Sequence, residues 1–331
     1  MKKKVLLIGG AGFIGLYIVK YLTRQGEYEI TIADNFFRGK MDEDLSEIVD
    51  RHQIRVVEAD LTDPAAFRQL DDDYDYVYML ASVVGVEYTS KMPHEIIRIN
   101  TALILNTLEW LKRSRCKKTL FTSTSECYAG TIEAFGYDIP TPETVPLCIR
   151  DISHPRFTYA ATKMLGESGF HNYSKTMGFK NIIVRYHNIY GPRMGFKHVI
   201  PQLAQRFLKG EDPFNIYGYD QTRSFCYITD AARCTVMAME HEGNDGATYH
   251  IGTMEEIAIE ELVRYVGDLF GFEGTYVHAP TFPGSVSRRC PDITKARIEL
   301  GYEPGVSWKE GVRKTIEWYK NYLKAGYEVY E

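Results

Sequence analysis

The fold is first legible in the stretch Val5-Leu6-Leu7-Ile8-Gly9-Gly10-Ala11-Gly12-Phe13-Ile14-Gly15. Its first four residues read as a short buried strand and its glycines as a turn. Beyond them Ile14, Ile18, Tyr21 and Leu22 share one face of a helix that stops near Gly26. Glycines between a strand and a helix are what a dinucleotide-binding turn needs. One permits the tight turn, one lets backbone approach a pyrophosphate, and one allows close helix–strand packing, while the helix N-terminus offers N–H groups and a positive dipole. Asp34 closes the next strand, Glu29–Asp34, at about the 20-residue spacing such a turn predicts. A carboxylate there accepts hydrogen bonds from the adenosine ribose hydroxyls and repels a 2′-phosphate, which favours NAD over NADP. Arg38 is the nearby residue through which a 2′-phosphate is accommodated instead.

On either side of this turn apolar β-branched runs alternate with amphipathic stretches, as in a parallel sheet covered by helices. Strands are predicted at Val5–Ile8, Glu29–Asp34, Arg55–Asp60, Tyr74–Ala81, Lys118–Thr124 and Asn181–Tyr186, and long helices at Ile96–Arg115 and Tyr159–Met177. The predicted class is α/β, a doubly wound Rossmann sheet followed by a smaller C-terminal α/β substrate-binding lobe. After Gly191-Pro192 the segments shorten, with strands at Phe214–Tyr217, Thr248–Ile251 and Thr275–Val277. Helices follow at Val199–Lys209, Asp230–His241, Ile259–Phe270, Ile293–Leu300 and Trp308–Leu323. The expected division gives residues 1–190 to the NAD-binding domain, with a return at about 225–252, and 191–224 with 253–331 to the lobe. The cleft between them is the default ligand site.

Composition narrows the partners. The formal net charge of −5 argues against nucleic acid, which needs a basic face, and Lys2-Lys3-Lys4 reads as a solvated strand entry. No run reaches the ~20 apolar residues of a membrane span, and Val5–Ile8 is too short for a signal peptide. Cysteines 116, 127, 148, 226, 234 and 290 form no CxxC pair and no metal-ligand spacing. They read as free thiols of a cytoplasmic protein with no metal.

Two clusters carry chemistry. In Tyr159-Ala160-Ala161-Thr162-Lys163 the i, i+4 spacing puts the phenol and the ammonium on one helical face. An adjacent cation is expected to lower the phenol's pKa and make it a base. The strand Lys118–Thr124 runs out through Thr122-Ser123-Thr124-Ser125-Glu126. Its hydroxyls and carboxylate fall at a C-terminal strand end, where ligands of open parallel sheets bind.

With these in hand, GGAGFIG, Asp34, TSTSE, YAATK, RYHNIYGPR and TRSF resemble the extended short-chain dehydrogenase/reductases. More narrowly, they resemble the NAD-dependent epimerase/dehydratase family acting on nucleotide sugars, over nearly the whole chain. The resemblance implies Thr124 as the catalytic Ser/Thr, Tyr159 as the base and Lys163 as the residue holding the nicotinamide ribose, with Glu126 moving a second proton. It places Gly9, Gly12, Phe13, Ile14, Gly15, Asp34, Asn35, Arg38, Asp60, Leu61, Ala81, Ser82 and Tyr186 around the cofactor, and Ser125, Asn188, Arg223 and Arg289 around the sugar nucleotide. It also implies oxidation of sugar C4 to a 4-keto species, and a homodimer built on helices Ile96–Arg115 and Tyr159–Met177.

The step after the ketone stays open at this level. The Thr-Ser-Glu run resembles UDP-glucuronate decarboxylases and GDP-sugar 4,6-dehydratases, whereas dTDP-glucose 4,6-dehydratases show Thr-Asp-Glu. A 4-epimerase needs no acid at 126, and a 4-dehydrogenase stops at the ketone. A non-catalytic NAD-sensing module is the reading from a different class, and the set Thr124, Tyr159 and Lys163 argues against it. His187 and Ala129-Gly130 depart from the family pattern, and the long connection Gly130–Phe157 is expected to shape the sugar pocket.

Overall fold

The computed structural model describes residues 2–281 and 286–327. Contacts divide the chain into two compact units. One comprises Met1–Gly136, Thr144–Tyr186 and Ala232–Tyr249, and the other Tyr137–Glu143, His187–Ala231 and His250–Glu331.

The first unit is built on strands β1 (Lys3–Ile8), β2 (Tyr28–Asp34), β3 (Arg55–Glu58), β4 (Tyr76–Met79), β5 (Lys118–Thr124) and β6 (Lys180–Tyr186). With Thr248–Ile251 they form one seven-stranded sheet in the order Thr248–Ile251, β6, β5, β4, β1, β2, β3. All pairs among β1–β6 are parallel. The order reverses between β1 and β4, the switch point outside which ligands of such sheets bind. Every residue of β5 is buried, as expected of a strand covered on both faces.

The helices of this unit are α1 (Phe13–Gln25), α2 (Glu43–His52), α3 (Val86–Lys91), α4 (Pro93–Leu111), α5 (Ala129–Phe135) and α6 (Phe157–Met177). Leu103, Ile104 and Leu108 of α4 join Phe121 of β5 and Phe170 of α6 in one core, with the two rings stacked at 4.8 Å. Gly166 sets how close α6 comes, because a Cβ there would overlap the Phe121 ring. Any larger residue would push the helix, and Tyr159 with it, off β5.

β4 is shorter than the predicted Tyr74–Ala81, for a visible reason. Leu80 and Ala81 both donate N–H to the Ile8 carbonyl at 2.9 Å, so the chain turns over the end of β1.

The second unit carries helices Val199–Leu208, Ile259–Phe270, Thr294–Leu300 and Trp308–Lys324. Its strands are short. Ile189–Tyr190 pairs with Cys226–Tyr227, Phe214–Tyr217 pairs with Tyr276–Ala279, and Thr222–Ser224 lies between Glu256–Ala258 and Arg288–Arg289. Tyr137–Glu143 goes with this unit because Thr141 exchanges backbone hydrogen bonds with Cys290 and Asp292, both 2.9 Å. The return to the first unit starts at Ala232 and not near 225. Just before it, the Asp230 carboxylate is held by the N–H groups of Gly305 (3.0 Å) and Val306 (2.9 Å).

Candidate active site

The glycine turn leaves β1 with Gly9 at φ +83°, a backbone only glycine adopts without strain. A Cβ on Gly9 would sit 2.6 Å from the Ala81 nitrogen, and one on Gly15 2.5 Å from the Gly10 carbonyl oxygen. Those two glycines are required by the protein's own packing. Gly12, which opens α1, is different: its nearest neighbour to an added Cβ is the Gly9 oxygen at 3.3 Å, and its φ of −72° suits any residue. The space it leaves is a cradle at a helix N-terminus, and it fits the pyrophosphate of a dinucleotide. Phe13 and Ile14 are partly exposed beside it.

Asp34 is buried at the end of β2 and braces this turn. One carboxylate oxygen accepts from Ala11 N–H (3.0 Å) and the other from Phe36 N–H (2.9 Å). Asn35 is exposed and accepts from Phe37 N–H at 3.1 Å. Asp60 closes its own turn by accepting from Thr62 N–H (3.0 Å) and hydroxyl (2.8 Å), and Leu61 is buried.

Two asparagines that pattern reading passes over fix these loops. Asn100 of α4 is buried. It accepts from Val83 N–H (2.8 Å) and donates to the Val83 carbonyl (3.0 Å), which pins the chain that follows Ala81 and Ser82. Its amide also reaches the Thr162 hydroxyl at 3.3 Å, and that hydroxyl donates to the Tyr159 carbonyl at 2.8 Å. Asn106, further along α4, donates to the carbonyls of Leu61 (3.1 Å) and Thr62 (2.8 Å).

The second cluster assembles where β5 meets α6. Thr124 Oγ1 accepts from Glu126 N–H at 3.2 Å and so caps the turn Ser125–Tyr128. Ser125 is buried, while Glu126 is partly exposed and lies 3.8 Å from the Arg156 guanidinium. Lys163 is buried, donates to the Thr122 carbonyl at 2.9 Å, and stands 5.7 Å from the centre of the Tyr159 ring. Burial lowers its pKa to about 8. Tyr159 departs from the expected shift. Burial raises its pKa above the ordinary value and the charges of Cys127 and Glu126 add to this, while the Arg38 charge and a hydrogen bond with Ser82 oppose it. Lys163 is committed to a backbone carbonyl, so it does not by itself turn the phenol into an acid.

Beneath this cluster Glu167, one turn beyond Lys163, accepts from Ser123 of β5 and from Arg185 of β6 (2.8 and 2.6 Å). Arg185 also donates to Tyr128. This buried network ties two strands, the helix α6 and the turn bearing Glu126 into one block. Tyr186 pairs in register with Thr124, and its hydroxyl meets that of Thr235 at 2.9 Å.

Asn188, Arg223 and Arg289 belong to the second unit. Asn188 has a positive φ of 44° and its amide donates to the Ser224 carbonyl at 2.9 Å. Arg223 and Arg289 are register partners on neighbouring parallel strands. Arg223 donates to Gln221 (2.9 Å) and to the carbonyls of Thr222 (2.7 Å), Ser287 (3.2 Å) and Val286. Among the described residues no cluster of His, Cys, Asp and Glu is arranged to hold a metal, all six cysteines are thiols, and no helix is long and apolar enough to cross a membrane.

Residues 5–252 match the model of the NAD dependent epimerase/dehydratase family. The UDP-N-acetyl-alpha-D-glucosaminuronate decarboxylase of Bacillus cytotoxicus is 33% identical, over 97% of this chain and 98% of its own. Among solved structures, the UDP-glucose 4-epimerase of Thermotoga maritima with UDP-glucose superposes with a TM-score of 0.84 at 29% identity, over 97% of this chain and 99% of that one. The UDP-glucuronic acid 4-epimerase of Bacillus cereus, in complex with UDP-glucuronic acid and NAD, gives 0.82 at 26% identity, over 96% of this chain and 99% of that one. The chain belongs to the NAD dependent epimerase/dehydratase family and is an NAD-dependent enzyme of nucleotide-sugar modification.

Proposed function

We propose that this chain is a decarboxylase of a nucleotide-linked uronic acid, working through oxidation at sugar C4. The observation that carries the reading is the assembly of Thr124, Tyr159 and Lys163 around one strand end, with Glu126 beside them. NAD held at the glycine turn would accept the C4 hydride, would return it to C4 after carbon dioxide has left, and would place a positively charged ring beside Tyr159. Gly9, Gly12, Phe13, Ile14, Gly15, Asp34, Asn35, Arg38, Asp60, Leu61, Ala81, Ser82 and Tyr186 are the residues proposed to hold it, and Asp34 favours NAD over NADP.

Tyr159 takes the proton from the C4 hydroxyl. The Thr124 hydroxyl oxygen already accepts from Glu126 N–H, so its own O–H is directed to the reacting oxygen. Lys163, fixed on the Thr122 carbonyl, holds the nicotinamide ribose and, with the positive charge of the bound cofactor ring, stabilises the phenolate that Tyr159 must become before it takes this proton. A ketone at C4 makes the C6 carboxylate that of a β-keto acid. The C5–C6 bond then breaks, carbon dioxide leaves, and the electron pair passes into an enolate whose oxygen is held by the Tyr159 and Thr124 hydroxyls. Glu126 carries a proton to C5. Ser125, Asn188, Arg223 and Arg289 are proposed to hold the sugar nucleotide, the two arginines meeting its diphosphate.

The relatives support this choice: the Bacillus cytotoxicus protein is a uronate decarboxylase, and UDP-glucuronic acid decarboxylases of Arabidopsis thaliana reach 31% identity. Epimerisation at C4 is the second reading, favoured by the solved neighbours. Incubation with UDP-glucuronate and with UDP-N-acetylglucosaminuronate, read by mass spectrometry, tests the choice. Loss of carbon dioxide from either supports decarboxylation, whereas an isobaric product with inverted C4 by NMR supports the epimerase.

The chain is also proposed to work as a cytoplasmic homodimer. Ile97 and Leu105 on α4 and Leu165 on α6 are large apolar side chains, 48%, 44% and 42% exposed, and a second copy of the same helices covers them. Light scattering at micromolar concentration giving the monomer mass overturns the dimer.

A further inference from the structure

Arg156 stands just before α6, one helical turn ahead of Tyr159. Its backbone is fixed by a compact turn. Asp151 accepts from the Ser153 N–H and hydroxyl (2.9 and 2.7 Å), Arg156 N–H donates to His154 Nδ1 (3.2 Å), and the Thr158 hydroxyl donates to the Pro155 carbonyl (2.7 Å). A cation at this end of a helix opposes the backbone dipole, so helix stability does not account for it. Its side chain is only 21% exposed and stands 3.8 Å from the Glu126 carboxylate. That separation exceeds the ~2.7–2.9 Å of a charge-assisted hydrogen bond. Arg156 and Glu126 therefore make a loose ion pair, and the Glu126 charge is felt at the Tyr159 phenol.

We propose that Arg156 selects nucleotide sugars that carry a carboxylate, its guanidinium exchanging Glu126 for the C6 carboxylate of the bound sugar. The proposal rests on the reading of Tyr159 as the group at O4. C6 is bonded to C5, the neighbour of C4, so a sugar with O4 at the phenol brings its carboxylate to the groups that border Tyr159. A planar guanidinium suits a carboxylate through two parallel N–H donors. Exchange also moves Glu126 from ion pair to sugar, where its proton transfer to C5 takes place. A neutral hexose makes no such exchange and leaves the Arg156–Glu126 pair in place.

The test is calorimetric titration of the NAD-loaded protein with UDP-glucuronate and with UDP-glucose, in a Tyr159→Phe background so that neither ligand is consumed. The parent binds UDP-glucuronate more tightly. Arg156→Gln lowers that affinity by about 10- to 100-fold, the range of a lost hydrogen bond between charged groups, and leaves UDP-glucose within a factor of about three. Arg156→Lys, which keeps the charge without the fork, restores part of the preference and keeps the test readable if the glutamine variant folds poorly. Equal losses for both sugars, or a parent without preference, overturn the proposal. Failure of the C4 reading shows separately, as no turnover of either sugar by the enzyme with Tyr159 intact.

Discussion

Replacing Gly12 and Gly15 separately with alanine distinguishes a glycine kept for a ligand from one kept for the fold. At Gly15 the new Cβ lies 2.5 Å from the Gly10 carbonyl oxygen and 2.7 Å from its Cα. Backbone must move, and overpacking of this kind costs about 1–3 kcal/mol. At Gly12 the nearest atom is 3.3 Å away and φ is −72°, so Gly12→Ala leaves the apo-protein within about 1 kcal/mol of wild type. The methyl occupies the pyrophosphate's approach and displaces it from the helix N–H groups. Losing one or two hydrogen bonds to a charged group, at about 1.5–3 kcal/mol each, weakens NAD by at least about 10-fold. Urea melts of the apo-proteins and calorimetric NAD titrations measure the two effects independently. Gly12→Ala binding NAD like wild type, or destabilising the apo-protein as much as Gly15→Ala, rules out a ligand role for Gly12.

Three further outcomes are expected. Asn100→Leu strips both partners from the buried Val83 peptide groups and lowers apo stability by about 2–4 kcal/mol, with weaker NAD binding by calorimetry. Glu167→Gln breaks the buried pair with Arg185 and costs about 3–5 kcal/mol in a urea melt. Lys163→Met removes a group whose folded pKa is about 8 against an unfolded value near 10.4. Between those values the unfolded chain binds the extra proton. Wild-type apo stability should therefore rise with pH from about 8 to 10.4 relative to Lys163→Met, and a flat difference across that window contradicts the assignment.

Long buried elements were legible in the sequence because their periodicity is strong. β5 was predicted at its observed limits, Lys118–Thr124, from an apolar run ending in hydroxyls. α2 was not predicted, because Leu45 is its one buried residue and no apolar stripe marks it. Two- and three-residue strands such as Ile189–Tyr190 and Thr222–Ser224 are too short to display a period. Asn100 and Asn106 carry no signal of their own within the predicted helix, since only the fold turns them toward the loops at Val83 and Leu61. The sense of the Tyr159 shift is hidden from the sequence for a related reason. Spacing sets Lys163 beside it, but the ammonium is drawn to the Thr122 carbonyl and burial dominates, both of which depend on the folded chain.

The most direct test of the account uses UDP-glucuronate deuterated at C4, incubated with the purified protein and no added NADH. Hydride removal and return within one site predict a product that has lost carbon dioxide and retains deuterium at C4. A decarboxylated product without deuterium there, or an unchanged substrate under conditions where the protein binds both NAD and the sugar nucleotide, contradicts it.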